Sequence, residues 1–285
     1  MKTIHTVTRL TPWLLLLIPL VALAEETPNA QQIMARAYQV YAGDDMVSRL
    51  TFTLRDGETE KKLGLRMAYK SYGGKKGLQS KTIMFNEFPP DKRDISFLAW
   101  IYTPEKNRKD DMWLYLPELR TVRKLTHQHK AGKHGHHDKD SEDEFSLSEL
   151  QRFELQPRDP ALDHHELQGT EHVDGQPVYK ILSTPRDDKD APFGKIVYDI
   201  TTDHYLPVRA TYYDARGAVI KRLTMEWTPV GKAWIWKRVM AVNPNNGHET
   251  ILEQDDVKLN TGLSDNIFTK RFMKLGARTL MSRVK

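Results

Sequence analysis

From Leu50 onward the apolar residues keep a period of two, and that alternation restricts the possible folds more than any other feature of the chain. Leu50, Phe52 and Leu54 alternate with polar residues; after the turn signal Asp56-Gly57, Leu63, Leu65, Met67 and Tyr69 do the same. Side chains two residues apart share one face of a strand, so each run reads as a strand with an apolar side. Gly73-Gly74 ends the second run, a third spans Leu78 to Phe85, and Pro89-Pro90 forces a break before Ile95 to Tyr102.

The pattern continues through the aromatic run Met112 to Pro117 and its basic successor Leu119 to Leu125. Further strands are expected at His165 to Glu171, Val178 to Ser183, Lys195 to Ile200, Pro207 to Tyr213, Val219 to Trp227, Ala233 to Val242 and Glu249 to Leu259. Asp174-Gly175, Arg216-Gly217 and Asn246-Gly247 supply hairpin chemistry, and Asp187-Asp188-Lys189-Asp190 reads as a solvated hairpin tip. About twelve strands at short spacing predict a mainly β fold, one extended and strongly curved antiparallel sheet. Two helices are expected. One is capped at Thr27 or Asn29, carries Ile33, Ala37, Val40 and Tyr41 at helical spacing and closes at Gly43; a short one covers Ser146 to Phe153.

So few helices leave much of a curved sheet's inner face uncovered. That face is then a lid-covered core or an incompletely filled apolar groove, with Leu50, Phe52, Leu65, Met67, Phe97, Trp113, Tyr115, Met225, Trp234 and Trp236 as the bulky candidates. Aromatics and methionines adapt well to acyl chains. Beside them the chain has no Gly-x-Ser-x-Gly, no glycine-rich phosphate loop and no His-Glu-x-x-His, and His164-His165 lack a nucleophile signature nearby. The expectation is a binding protein, not an enzyme.

Several motifs occur in a telling order. Gly43-Asp44-Asp45 precedes the run Met46 to Thr53 and Asp56-Gly57. Trp113-Leu114-Tyr115-Leu116-Pro117 is followed by Arg120, Arg123 and Lys124. Then come Phe145-Ser146 with Glu149-Leu150, and Asn260-x-Gly262-Leu263-x-Asp265-x-x-Phe268-Thr269. In this order the chain resembles the periplasmic outer-membrane lipoprotein-sorting proteins of the LolA-like superfamily over nearly all of residues 30 to 275. The resemblance implies an incomplete β-barrel with lid helices over an apolar cavity that carries lipid or lipoprotein acyl chains. It also implies association with inner-membrane exporters of the resistance-nodulation-division (RND) type. Arg120, Arg123 and Lys124 are then candidates for the rim, meeting lipid phosphates or an acidic partner, or simply a solvated strand face. The alternative function is a non-enzymatic adaptor or sensor that works with a membrane exporter and responds to metal through its histidine loop.

That loop, residues 126–144, holds His127, His129, His134, His136 and His137 with Asp138, five of the chain's 11 histidines. Closely spaced imidazoles with a carboxylate can gather zinc, nickel or copper, although no cofactor is required by anything else in the sequence. A polar insertion that titrates near neutral pH is the alternative.

The first 24 residues read as an export signal. Lys2 and Arg9 are followed by an apolar core from Trp13 to Ile18, Pro19, and the small-x-small site Ala22-Leu23-Ala24, so cleavage is expected after Ala24 and the mature protein in the periplasm. The apolar run is roughly ten residues, about half of what an uncleaved spanning anchor needs. The chain has 0 cysteines, so an exported fold here rests on its core without disulfides. Without Lys2 and Arg9 the balance is 41 Lys and Arg against 38 Asp and Glu with the signs interleaved, which excludes a strong nucleic-acid footprint. Residues 25–285 are expected to form a single domain.

Overall fold

The computed structural model of the protein describes residues 28–103, 108–125, 148–150, 158–187 and 191–284. The fold is mainly β, and its strands are β1 (Asp45–Asp56), β2 (Thr59–Ser71), β3 (Leu78–Phe88), β4 (Ser96–Tyr102), β5 (Asp111–Leu116), β6 (Thr121–Leu125), β7 (Asp163–Val173), β8 (Gln176–Pro185), β9 (Lys195–Thr201), β10 (Pro207–Tyr213), β11 (Val219–Val230), β12 (Ala233–Val242) and β13 (Glu249–Leu259). All lie in one 13-stranded sheet of order β6-β5-β4-β3-β2-β1-β13-β12-β11-β10-β9-β8-β7. Every neighbouring pair is antiparallel, so the chain runs as two meanders joined by the pairing of β1 with β13. The sheet is curved and does not close.

Turn chemistry sets the register. At the β7–β8 hairpin Asp174 (φ 50°) and Gly175 (φ 82°) both occupy the left-handed region, the conformation that a two-residue hairpin matching the strand twist demands. A bulge in β13 places two residues opposite one of β1 between the pairs Val47–Lys258 and Arg49–Asp255. It includes Asp256 (φ 50°), whose carboxylate accepts a 2.6 Å bond from the buried Arg66 guanidinium, which also faces Glu87.

Among the described residues two α-helices flank the sheet. Helix α1 (Ala30–Tyr38) starts at Asn29, which caps Gln32 and is capped by it in return, and ends at Tyr38, short of the expected Val40 and Tyr41. Its Ala30, Ile33, Met34 and Ala37 pack on Tyr179, Ile181 and Ile200. Helix α2 (Gly276–Arg283), which the sequence reading did not anticipate, ends a tail from Leu263 whose apolar residues cover the outer face of β1 to β5. The tail is fastened by Asp45, whose carboxylate accepts from the N–H groups of Thr261 (2.8 Å), Gly262 (2.9 Å) and Leu263 (3.0 Å) and from the Thr261 hydroxyl (3.0 Å). Asn260 Oδ1 accepts from the Asp44 N–H at 2.8 Å, so the motifs at the two ends of the chain are bonded to each other. The expected helix at Ser146 to Phe153 lies mostly outside the described residues, and Ser148 to Leu150 within it are not helical.

Candidate functional site

The two faces of the sheet carry different apolar clusters because alternate side chains point opposite ways. The inner face takes Leu50 and Phe52 from β1, Leu63, Leu65 and Met67 from β2, Phe97 and Ala99 from β4, and reaches through β13 to Ile196 of β9. Seven of the ten expected groove residues meet here: Leu50, Phe52, Leu65, Met67, Phe97, Met225 and Trp236. Trp236 joins them through a bulge. Glu226 pairs with Arg238 but Trp227 pairs with Trp236, so the extra residue Lys237 shifts the parity of β12 and turns Trp236 to the face of Val239 and Ala241.

The other three lie elsewhere. Trp113 and Tyr115 point to the outer face, where they pack with Phe85, Leu98, Phe268 and Phe272 beneath the tail. The run Met112 to Leu116 is apolar on both sides of β5, so alternation gave no basis for choosing a face. Trp234 stands at the far end of β12, its ring 4.7 Å from that of His204 and its backbone N–H donating to Tyr41 O at 2.9 Å. The inner cluster also takes in Phe193, Ile196 and Tyr212, with Phe193 edge-on to Tyr212 at 5.5 Å. Phe193 comes from the segment before β9, which has no alternation to reveal it.

One short segment enters this face from outside the sheet. Leu150 is fully buried in the inner cluster. Its neighbour Glu149 donates its N–H to Thr250 Oγ1 at 2.8 Å and sets its carboxylate 3.5 Å from His248 Nδ1, while His248 Nε2 stands 2.9 Å from Asp56. Farther round, Tyr198 belongs both to this cluster and to the one under α1, so α1 covers the same face at β7 to β9. Met67, Ile101, Leu125, Tyr198, Ile220, Met225 and Trp236 remain partly exposed. Within the apolar setting Trp236 Nε1 is buried and finds no acceptor among the described residues; Trp113 Nε1 on the outer face is in the same position, beneath the Lys270 ammonium 4.8 Å from its ring.

The three expected rim cations separate. Lys124 bonds Asp111 at 2.7 Å, a carboxylate that also accepts from Tyr102 OH (2.9 Å) and Arg108 (2.6 Å). Burial works to raise the Asp111 pKa, but these donors outweigh it and hold it below the usual range. The Tyr102 phenol is pushed up to about 12 by burial and by its bond to that carboxylate. Arg123 pairs across the ladder with Leu114. Arg120 is exposed at the β5–β6 turn with φ 50°.

Of the pair His164-His165, considered for a base, His165 has both nitrogens engaged. Nδ1 is 2.7 Å from Ser183 Oγ and Nε2 is 2.9 Å from Pro160 O, with Ser183 fully buried. The metal candidates His127, His129, His134, His136, His137 and Asp138 lie outside the described residues. Among the described residues no group of three or more His, Asp or Glu side chains could hold a metal ion.

A family model whose description reads only "-like: Uncharacterized protein" matches residues 78–275, well over half of the chain. No curated protein matches. Among solved structures, the chain is similar to a DUF1329 family protein from Desulfovibrio piger, at 23% identity and a TM-score of 0.72 over 85% of this chain and 97% of that one. It is similar to a domain from Vibrio parahaemolyticus assigned to outer-membrane lipoprotein sorting, at 23% identity and a TM-score of 0.71 over 86% and 98% of the two chains. A LolA superfamily protein from Nitrosomonas europaea aligns at 16% identity and a TM-score of 0.59 over 86% of this chain and 100% of that one.

Proposed function

The chain belongs to the family whose model matches residues 78–275 and is a LolA-like protein, and on that premise we propose that it is a periplasmic carrier which holds lipid or lipoprotein acyl chains against the inner face of its sheet and passes them between membrane partners. The observation that carries this reading is Leu150: a side chain delivered by a segment outside the sheet is fully buried in the apolar cluster of the inner face, near the start of β13. Burying about ten methylenes of an acyl chain stabilises by roughly 8 kcal/mol, whereas exposing one leucine costs roughly 1.5–3 kcal/mol. An acyl chain therefore outcompetes Leu150, and Leu150 reclaims the surface once the chain leaves. The indole N–H of Trp236, which has no acceptor among the described residues, supports the same reading, because an ester or amide carbonyl at the head of the chain would satisfy a group that otherwise costs about 1–3 kcal/mol. We propose an RND-type exporter as the membrane partner, a reading that rests on the family resemblance alone.

Titration of the purified protein with a fluorescent fatty-acyl probe tests the proposal. Met225→Asp puts a charge at a partly exposed inner position and should weaken binding at least tenfold while the circular dichroism stays native. Trp113→Phe, on the outer face, should leave binding within about twofold; as the free energy involved is small, this is the matched control. Equal loss in both variants, or no saturable binding by the wild type, defeats the carrier reading.

A further inference from the structure

The exposed apolar side chains of this protein are not scattered. Among the described residues the large hydrophobics with more than a third of their surface open are Tyr41, Phe88, Leu119, Leu162 and Leu275. In an antiparallel sheet the end at which β1 finishes is also the end at which β2, β4, β6, β7 and β13 begin. Phe88 is the last residue of β3, Leu119 lies in the β5–β6 turn and Leu162 immediately precedes β7. Leu275 belongs there too. Ser96, the first residue of β4, bonds Met273 O at 3.0 Å, and Asp94 closes on Gly276. Four of the five thus stand at one end, and Tyr41, at the other, is within hydrogen-bonding reach of Asp44 and Asn260.

Around three of them cations outnumber anions. Phe88, Leu119 and Leu275 are interspersed with Lys92, Arg93, Arg120, Lys274 and Arg278, against Asp91, Asp94 and Glu118. Ser96 fixes these pieces side by side, since it pairs with Phe85 on one side and Tyr115 on the other. Single exposed hydrophobics are ordinary, but several at one end within a cationic surround match a surface that is apolar below and anionic above. Leu150 and its anchor Thr250, opposite Leu54 of β1, lie toward the same end.

We propose that this end of the sheet docks on an anionic phospholipid surface, with Phe88, Leu119 and Leu275 entering the interface and Arg93, Arg120 and Lys274 meeting the phosphates. The proposal rests on the carrier reading for its purpose, because it sets the end of the inner face covered by Leu150 against the membrane, but it is tested separately. Flotation with vesicles of phosphatidylcholine alone and of phosphatidylcholine with phosphatidylglycerol is measured for the full chain. The wild type should bind the anionic vesicles and bind the neutral ones far more weakly. Phe88→Ser with Leu119→Ser and Leu275→Ser should reduce binding by at least about tenfold. Arg93→Gln with Arg120→Asn and Lys274→Gln should reduce binding to anionic vesicles by about a hundredfold; asparagine is chosen at 120 because it tolerates the positive φ. Lys75→Gln with Lys76→Asn removes exposed charge at the opposite end and should leave binding unchanged.

Absence of vesicle binding by the wild type, or an equal loss in the Lys75 and Lys76 control, overturns the proposal. Titration of the same variants with a soluble fatty-acyl probe and no vesicles keeps the two readings apart. Retained probe binding in all of them with lost flotation in the first two supports docking as a separate surface. A wild type that floats but binds no probe upholds docking and defeats the carrier. Probe binding lost in step with flotation would show that the substitutions damaged the inner face, and would overturn the assignment of these residues to docking.

Discussion

Both carboxylate oxygens of Asp45 are engaged by the backbone of residues 261–263, so this one buried side chain pins the start of the C-terminal tail to the sheet. Asp45→Ala would strand three amide donors and should cost about 3 kcal/mol, read as a shift in the urea midpoint at constant slope. A loss below about 0.5 kcal/mol would mean that the tail is held by its apolar contacts alone. His165 gives a prediction for pH. Burial, first among its influences, holds its pKa below the ordinary 6.5, so the fold favours the neutral ring that accepts from Ser183 and donates to Pro160. A histidine whose folded pKa is depressed contributes its stability fully above the unfolded value and loses it as pH falls from about 6.5 toward the folded value. The melting temperature of the wild type should therefore drop between pH 7 and 5 by more than that of His165→Asn, which keeps one donor and one acceptor without titrating there. Parallel curves for the two proteins would contradict this.

At the scale of elements, the strands were legible and the tail was not. Apolar runs between turn signals located every strand among the described residues, most of them by the alternation that half-buried antiparallel strands need, and β10, β12 and β13 begin and end at the residues expected. Helix α2 left no comparable trace. It begins at a glycine, has no side-chain cap at Leu275, and shows only Ala277 and Leu280 as buried anchors beyond Gly276 in eight residues. Face assignment was legible where polar residues alternate, as in β1 and β2, and failed at Trp113 and Tyr115, where both sides of the strand are buried. The placement of Trp236 depended on a bulge at Lys237 that no composition rule announces. Because the tail covers Val47, Ile83, Phe85 and Leu98, its own anchors should behave as core residues. Phe268 is fully buried, and Phe268→Ala should cost about 3–5 kcal/mol and expose the tail to limited proteolysis. Survival of the tail under protease conditions that leave the wild type intact would show that it docks without that side chain.

For the whole molecule, a curved sheet that does not close has two faces with different coverings. The tail is bound to the outer face by Asp45, by Lys70 and Tyr72 on Asp265, and by Trp100 on Phe268 O. The bond from Lys70, the strongest of its influences, keeps the Asp265 carboxylate below its ordinary pKa, so this fastening persists until the pH falls well into the acid range. The inner face is covered by α1 at one side and by Leu150 near the start of β13, and it keeps methionines and tryptophan partly open. On the proposed carrier function the outer covering is permanent and the inner one exchangeable, as apolar cargo requires. Native mass spectrometry of protein prepared without detergent tests this most directly. The account predicts adducts of acyl-chain mass on the wild type, or their appearance after incubation with phospholipid vesicles, and their loss in Met225→Asp. Bare polypeptide under both conditions, from protein whose fold is native, would contradict it.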